Sequence, residues 1–212
     1  MPSAAVMNYS KTLGLVSTGI KMKELSLNIL DVAENSVKAG ASLTQILLTE
    51  EGDVLTLEIV DDGCGMSEDV VRSVTDPFYT TRTTRKVGMG IPLLKLACEQ
   101  TGGKLTITSV TQEENPAEHG THVTATFNKN HIDFTPLGDV SSSILTLIQG
   151  HPDTDFLFRH QIDGRVVELD TRELREVLED VPLNSYDVMR WIGGNLQEQY
   201  EELSDDGHSG EE

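Results

Sequence analysis

Apolar residues Leu25, Ile29, Val32, Ala33 and Val37 recur at helical spacing between residues 23 and 39, and Gly40 follows as a left-handed stop, so the pattern predicts a helix there. Asn28, Asp31 and Asn35 fall at i, i+3 and i+7, which puts all three on one face of it. Two strand-like runs come next, 43–49 and 54–60, with Leu55, Leu57 and Ile59 alternating against Thr56 and Glu58. The second run delivers Asp61 at its exit. Ser67 can cap a short helix reaching Val74, Asp76-Pro77 ends it, and residues 80–87 form a polar loop with no apolar period. A helix over 91–100 is closed by Gly102-Gly103, and strands 104–110 and 121–127 flank a polar insert at 111–120. Strands segregated from helices in this way predict an α+β fold, a two-layer sandwich with helices on one face of a mixed sheet.

Past Asn130 the pattern changes. Residues 139–149 read as an amphipathic helix, and Asp163-Gly164 reads as a hairpin turn between strands 156–162 and 166–169. Asp170 with Glu173 resembles a capping box. A final helix over 185–202 carries Trp191 and is interrupted by Gly193-Gly194. The expected organisation is a flexible segment at 1–20, the sandwich at 21–130, a small C-terminal α/β appendage at 131–203 and a disordered acidic tail at 204–212, the acidic run itself starting at Glu198. No internal repeat is visible.

Composition narrows the classes. A chain of 212 residues with 37% apolar content supports one domain with a small appendage. No run approaches the roughly 20 apolar residues that span a membrane, and the short apolar stretch at 13–20 makes a poor signal peptide. Cys64 and Cys98 make no metal-ligand spacing with the six histidines. The expected location is the cytoplasm. A net charge of −19, from 35 acids against 16 bases, repels a polyanion and argues against a nucleic-acid partner. Residues 77–98 break that trend, holding Arg82, Arg85, Lys86 and Lys95 with no acid, a basic island suited to a bound anion.

Three segments carry candidate chemistry. The amide oxygen of Asn35 can take one position on Mg²⁺ while phosphates and water fill the rest, although an Asn in a helix also commonly satisfies its own turn. Asp31, one turn earlier, can orient or deprotonate a nucleophile near a terminal phosphate, or can be a solvated charge. Glu34 points away from that stripe and is the weaker base. Asp61 can accept from the exocyclic amine of adenine, with Gly63 and Gly65 allowing close backbone approach; Asp-Gly is equally ordinary turn chemistry. The loop at 80–85 offers hydroxyls and guanidiniums to phosphate oxygens. Gly88 and Gly90 precede a helix whose first amides favour anions. Neither the dinucleotide fingerprint nor the Gly-x₄-Gly-Lys-Ser/Thr phosphate loop is present.

Taken together, Asp31-Val-Ala-Glu-Asn35, Asp61-Asp62-Gly63-Cys64-Gly65-Met66, Asp76-Pro77-Phe78-Tyr79-Thr80-Thr81-Arg82 through Gly88-Met89-Gly90, and Gly120-Thr121 resemble, in order, the motifs of the GHKL ATPases. That superfamily comprises gyrase, the heat-shock chaperone, histidine kinases and mismatch-repair ATPases. The resemblance covers residues 22–128 and implies a sandwich containing a left-handed βαβ unit, with ATP and Mg²⁺ held between the first helix and a mobile lid. It implies Asn35 on Mg²⁺ and Asp61 on adenine, with Thr121 on an adenine-associated water. Gly63, Gly65 and Met66 would shape the base loop. Thr81, Arg82, Arg85 and Lys86 would form the phosphate-covering lid, and Gly88, Met89 and Gly90 the head of the next helix. Two positions depart from the pattern. Asp31 stands where hydrolysing branches often have Glu and many histidine kinases Asn, and Asp62 stands where Asn is common, adding negative charge near the phosphates.

The lid and the Gly90-Ile-Pro-Leu-Leu-Lys segment are most similar to the histidine kinase branch, which implies phosphotransfer in signalling. Too few residues precede Asn35 for a dimerising phosphoacceptor hairpin, so the phosphoacceptor is expected in trans. Two other classes stay open: an ATP-gated partner-binding regulator of anti-sigma type, and an ATP-driven clamp of mismatch-repair type. Homodimerisation is open as well.

Overall fold

The computed structural model describes residues 24–75 and 89–205. Helix α1 (Leu25–Lys38) forms where the apolar stripe lies, burying Leu25, Ile29, Val32 and Ala33. Its first amides are satisfied by the chain ahead of a later helix, with Leu25 N–H donating to Pro136 O (2.9 Å) and Ser26 N–H to Leu137 O (2.8 Å). Gly40, at φ +76°, turns the chain out of the helix.

Strands β1 (Leu43–Glu51) and β2 (Val54–Asp61) form an antiparallel hairpin. Helices α2 (Glu68–Thr75) and α3 (Gly90–Glu99) follow, then β3 (Leu105–Val110) and β4 (Gly120–Asn128), and β4 pairs antiparallel with both β3 and β2. After α4 (Val140–Gly150), β5 (Asp155–Ile162) returns parallel to β1, and β6 (Arg165–Asp170) pairs antiparallel with β5. The sheet is therefore mixed and six-stranded, in the order β3-β4-β2-β1-β5-β6. Helices α5 (Thr171–Leu178) and α6 (Tyr186–Asp205) complete the chain. The architecture is α+β, as the segregation of strands and helices predicts.

One face of the sheet supplies Ile46, Leu48, Leu55, Leu57, Ile59, Val123, Ala125 and Phe127 to the core, each nearly inaccessible to water. α1 lies over that face between α3 and α4. The C-terminal α/β segment shares this core, with Phe156, Phe158, Ile144, Ile192 and Leu196 in the same buried cluster. Polar contacts tie it down further: Ser143 Oγ donates to Ser26 O (3.0 Å), and His151 Nε2 meets Glu34 Oε1 (2.7 Å).

Three local expectations change. α6 runs unbroken through Gly193-Gly194, because its other face is anchored by Val188, Ile192 and Leu196 and tertiary burial outweighs the helix cost of glycine. The acidic run beginning at Glu198 is consequently helical as far as Asp205, and residues 206–212 lie outside the described residues. Asp170 caps α5 as expected, accepting from Arg172 N–H (2.9 Å), but its carboxylate is clasped by the Arg172 guanidinium in place of a reciprocal Glu173 contact.

Candidate functional site

Register brings Asp61 and Thr121 together with two further polar residues. Thr44 stands opposite Asp61, Asp61 opposite Thr121, and Thr121 opposite Ser109, so four polar side chains line up across β1, β2, β4 and β3 at one end of the sheet. Cross-strand partners share a face, and here it is the face beneath α1. The Asp61 carboxylate is engaged at both oxygens: Oδ1 accepts from Gly63 N–H (3.0 Å) and Thr121 N–H (3.2 Å), and Oδ2 accepts from Ser36 Oγ–H (2.7 Å), leaving Oδ2 able to accept one bond more. Ser109 Oγ accepts from Met66 N–H (2.7 Å), donates to Gly120 O (2.8 Å) and lies 2.9 Å from Thr121 Oγ1. His119 Nδ1 donates to Gly63 O at 2.6 Å, an assignment forced because a carbonyl can only accept.

The loop from Asp61 to Met66 is thus held from three sides. Its glycines serve packing against protein as much as approach to a ligand. A Cβ on Gly65 (φ +69°) would lie 1.9 Å from Val110 O, and one on Gly63 would lie 2.9 Å from Ala39 Cβ. A cleft of about 220 Å³ opens here, lined by Asp61, Ser109, His119 and Thr121 among others. A larger one, about 710 Å³, lies away from these residues between α4 and α6.

Along α1 the picture reverses. Asn35, half-buried, sits on the helix beside the Ser36–Asp61 contact, and Asp31 is exposed one turn back. Neither side chain has a hydrogen-bond or ion-pair partner among the described residues. Both groups are therefore open to a ligand: a neutral amide oxygen suited to a divalent cation, and a carboxylate one turn away. Among the described residues no three His, Cys, Asp or Glu side chains stand together as a metal cage, so a cation here would draw most of its ligands from phosphate and water. Gly90 sits against this stripe, and a Cβ there would come within 2.9 Å of Asp31 Cβ. The N-cap of α3, Met89, makes no side-chain cap bond. Thr81, Arg82, Arg85, Lys86 and Gly88 lie outside the described residues.

Two acidic residues turn out to be engaged elsewhere. Asp62 does not add its charge to the phosphate side: its carboxylate accepts from Ser42 N–H (2.7 Å), Leu43 N–H (2.9 Å) and Ser42 Oγ–H, clasping the start of β1. Partial burial would raise its pKa, but these hydrogen bonds outweigh it and hold the carboxyl below its ordinary value. Glu34 bridges to His151 and lies 3.5 Å from Lys38. The His151 hydrogen bond is the main cause of its lowered pKa, so Glu34 serves the α1–α4 junction. Sequence reasoning missed Ser36, Ser109 and His119. Ser36 follows Asn35 on the sheet-facing side of the helix, a signal the helical period does carry. The value of Ser109 and His119 depends on which residues stand beside them, and no local pattern carries that.

The sandwich and the carboxylate-centred row under α1 give the site its frame, and the class of protein follows from comparison of the sequence with known families. A sequence profile described as histidine kinase-, DNA gyrase B- and HSP90-like ATPase matches residues 21–131. The sensor protein KdpD of Clostridium acetobutylicum is 30% identical over 92 residues, covering 41% of this chain and 10% of that protein. Sporulation kinase E of Bacillus subtilis is 27% identical over 89 residues, covering 42% and 12%. The chain thus spans about a tenth of the length of these curated relatives. Among solved structures, the Aquifex aeolicus MutL ATPase domain complexed with ADP aligns with TM-score 0.47 and 14% identity, over 75% of this chain and 70% of that one. The catalytic domain of histidine kinase ThkA aligns with TM-score 0.35 and 17% identity, over 47% and 62%. The chain belongs to the histidine kinase-, DNA gyrase B- and HSP90-like ATPase family, and the matched region is its ATP-binding domain.

Proposed function

We propose that this protein is a Mg²⁺-dependent, histidine kinase-like phosphotransfer protein whose phosphoacceptor lies on a partner, in trans. The observation that carries the reading is the contrast on α1: Ser36 is committed to Asp61, while Asn35 and Asp31 on the same helix have no partner among the described residues and α3 begins against Asp31. Asp61 receives the exocyclic amine of adenine and Thr121 an associated water. Gly63, Gly65 and Met66 shape the base loop. Asn35 holds Mg²⁺ on the phosphates, and the first amides of α3 at Gly90 favour their charge. Asp31 orients or deprotonates the nucleophile that attacks the terminal phosphate. When bound, ATP supplies the phosphoryl group.

The kinase assignment draws support from the sensor and sporulation kinases among the relatives. The test is calorimetry with ATP in the presence and absence of Mg²⁺, followed by transfer from γ-labelled ATP to proteins retained on the ATP-loaded chain. Tight Mg²⁺-dependent binding with label transfer supports the proposal. Binding without hydrolysis or transfer favours a second reading, an ATP-gated partner-binding regulator. That reading draws on Tyr186 and Trp191, 79% and 54% exposed on α6, since aromatic residues of this kind are enriched in protein interfaces.

A further inference from the structure

Asn28 is completely buried within α1, and among the described residues neither its amide nitrogen nor its amide oxygen has a hydrogen-bond partner. Leaving both groups of a primary amide unpaired in a core destabilises the fold, and the neighbouring inward positions Leu25, Ile29 and Val32 show what the helix uses where packing alone decides. An unsatisfied buried group of this kind calls for an explanation, and an absent ligand or water is one of the few available.

Its position indicates which ligand. Asn28 precedes Asp31 by three residues and Asn35 by seven, so the three share one stripe. The stripe meets α3, whose Gly90 packs on Asp31. From there α3 heads toward the far end of the sheet: a Cβ on Gly103 just beyond it would lie 1.7 Å from Thr126 O, and Asn128 N–H donates to Thr101 Oγ1. α1 runs the opposite way, toward Ala39, whose carbonyl accepts from Cys64 N–H at the base end. The two helices are antiparallel, so α3, leaving Asp31 at Gly90, runs along the end of α1 that holds Asn28. Counted from the base end, α1 presents Ser36, Asn35, Asp31 and then Asn28, the last about 10 Å beyond Asn35 at a rise of about 1.5 Å per residue. Asp61 marks where the base sits, so Asn28 marks the end where a triphosphate outreaches a diphosphate.

We infer that Asn28 is a terminal-phosphate group: its amide donates to a γ-phosphate oxygen, or to a water bound on one, once the triphosphate enters between α1 and the first turn of α3. This deepens the proposed nucleotide site and rests on it. Because the amide is fully covered in this structure, reaching it moves the first turn of α3. Gly90, which has no side chain to lock that turn against Asp31, permits the movement. The amide thereby couples the presence of the third phosphate to the position of α3.

Calorimetry of the full chain with Mg-ATP and with Mg-ADP, for wild type, Asn28→Leu and the smaller Asn28→Ala, tests this alongside thermal unfolding without nucleotide. Asn28→Leu is expected to keep or raise the unfolding temperature, because an orphaned amide is replaced by an apolar group. Mg-ATP affinity is expected to fall about tenfold or more in both variants, the scale of a hydrogen bond to a charged group, with Mg-ADP affinity within about threefold. Equal losses for both nucleotides, or no loss for either, overturn the inference, and Asn28→Ala decides the matter if the leucine variant does not fold. Wild-type protein that binds neither nucleotide overturns the parent reading first and is recognised as such without any variant.

Discussion

The two ends of α1 treat polar groups in opposite ways. At the proposed base end each oxygen of Asp61 has a protein partner, Ser109 makes three contacts and His119 pins the Gly63 carbonyl. At the proposed phosphate end Asn35, Asp31 and the buried Asn28 are all unpaired among the described residues. The base end is preorganised, so little side-chain entropy remains to be lost there on binding. On the proposed reading, the other end keeps its groups free for a charge and a cation that would arrive with the ligand, at a cost in stability. Such a split suits a site that must recognise one part of a molecule rigidly and sense another part that changes during turnover.

The comparison breaks most sharply at Asp31. Asp31→Asn is expected to leave Mg-ATP affinity within a few fold while hydrolysis or transfer falls roughly 10²-fold or more, the usual scale for a positioned acid or base. Calorimetry paired with a phosphate-release or label-transfer assay separates the two. Equal losses of binding and turnover would make Asp31 part of the structural or metal shell, and the phosphate end would then resemble the base end.

Asp61→Asn follows in size. The variant loses the charge of the proposed acceptor for the exocyclic amine; with its oxygen facing Gly63 and Thr121 N–H, its NH₂ faces Ser36 Oγ, which must turn from donor to acceptor. ATP affinity should fall by about 1.5–3 kcal/mol, the range for a hydrogen bond to a charged group. Because the site is preorganised, ADP should lose as much as ATP, in contrast to the Asn28 variants. Ser109→Ala is expected to act more mildly through the same end. It frees Met66 N–H and the Gly120 carbonyl, lowers unfolding stability by about 1–2 kcal/mol, and weakens ATP and ADP alike by a few fold, as read by chemical denaturation and calorimetry.

The sequence pattern exposes these two ends unequally. α1 and its stripe of Asn28, Asp31 and Asn35 follow from a 3.6-residue period, and Asp61 at the exit of β2 follows from strict alternation, so the outline of the site is legible in the order of residues alone. Ser109 and Thr121 matter because they stand opposite one another across β3 and β4, and strand pairing is a property of the whole chain. The same limit hides β5. Its alternation marks a strand, but nothing local says that it will run parallel to β1 and extend the sheet. Asp62 illustrates a third kind of gap: a residue adjacent to a motif suggests added charge at the site, whereas the backbone turn aims its carboxylate at Ser42 and Leu43.

The far end of the sheet supplies a control, because it is as fully tied as the base end with no role in the proposed site. His160 is 2% exposed, with Nδ1 2.8 Å from Tyr200 Oη and Nε2 3.1 Å from Glu50 Oε1, and Lys129 Nζ lies 2.7 Å from the other Glu50 oxygen. Burial chiefly lowers the His160 pKa below its ordinary 6.5, with Lys129 adding to the effect and Glu50 opposing it. The unfolded chain therefore takes up a proton near pH 6.5 that the folded chain refuses until lower pH, so the unfolded state binds more protons in that window and stability falls as pH drops through it. Glu50 has the opposite burial effect, yet its Lys129 and His160 contacts hold its pKa below 4.5, so its contribution persists above that pH and is lost only as pH falls further. Urea unfolding between about pH 7.5 and about pH 5 should therefore show a decline of at most about 1.4 kcal/mol per pH unit from this one group. His160→Gln should flatten that decline while leaving nucleotide affinity at the upper end of this range unchanged. A variant that keeps the slope would assign the pH sensitivity to other histidines. One that loses ATP binding would mean that the far end communicates with the site through the sheet, and the contrast between the two ends of α1 would no longer be local.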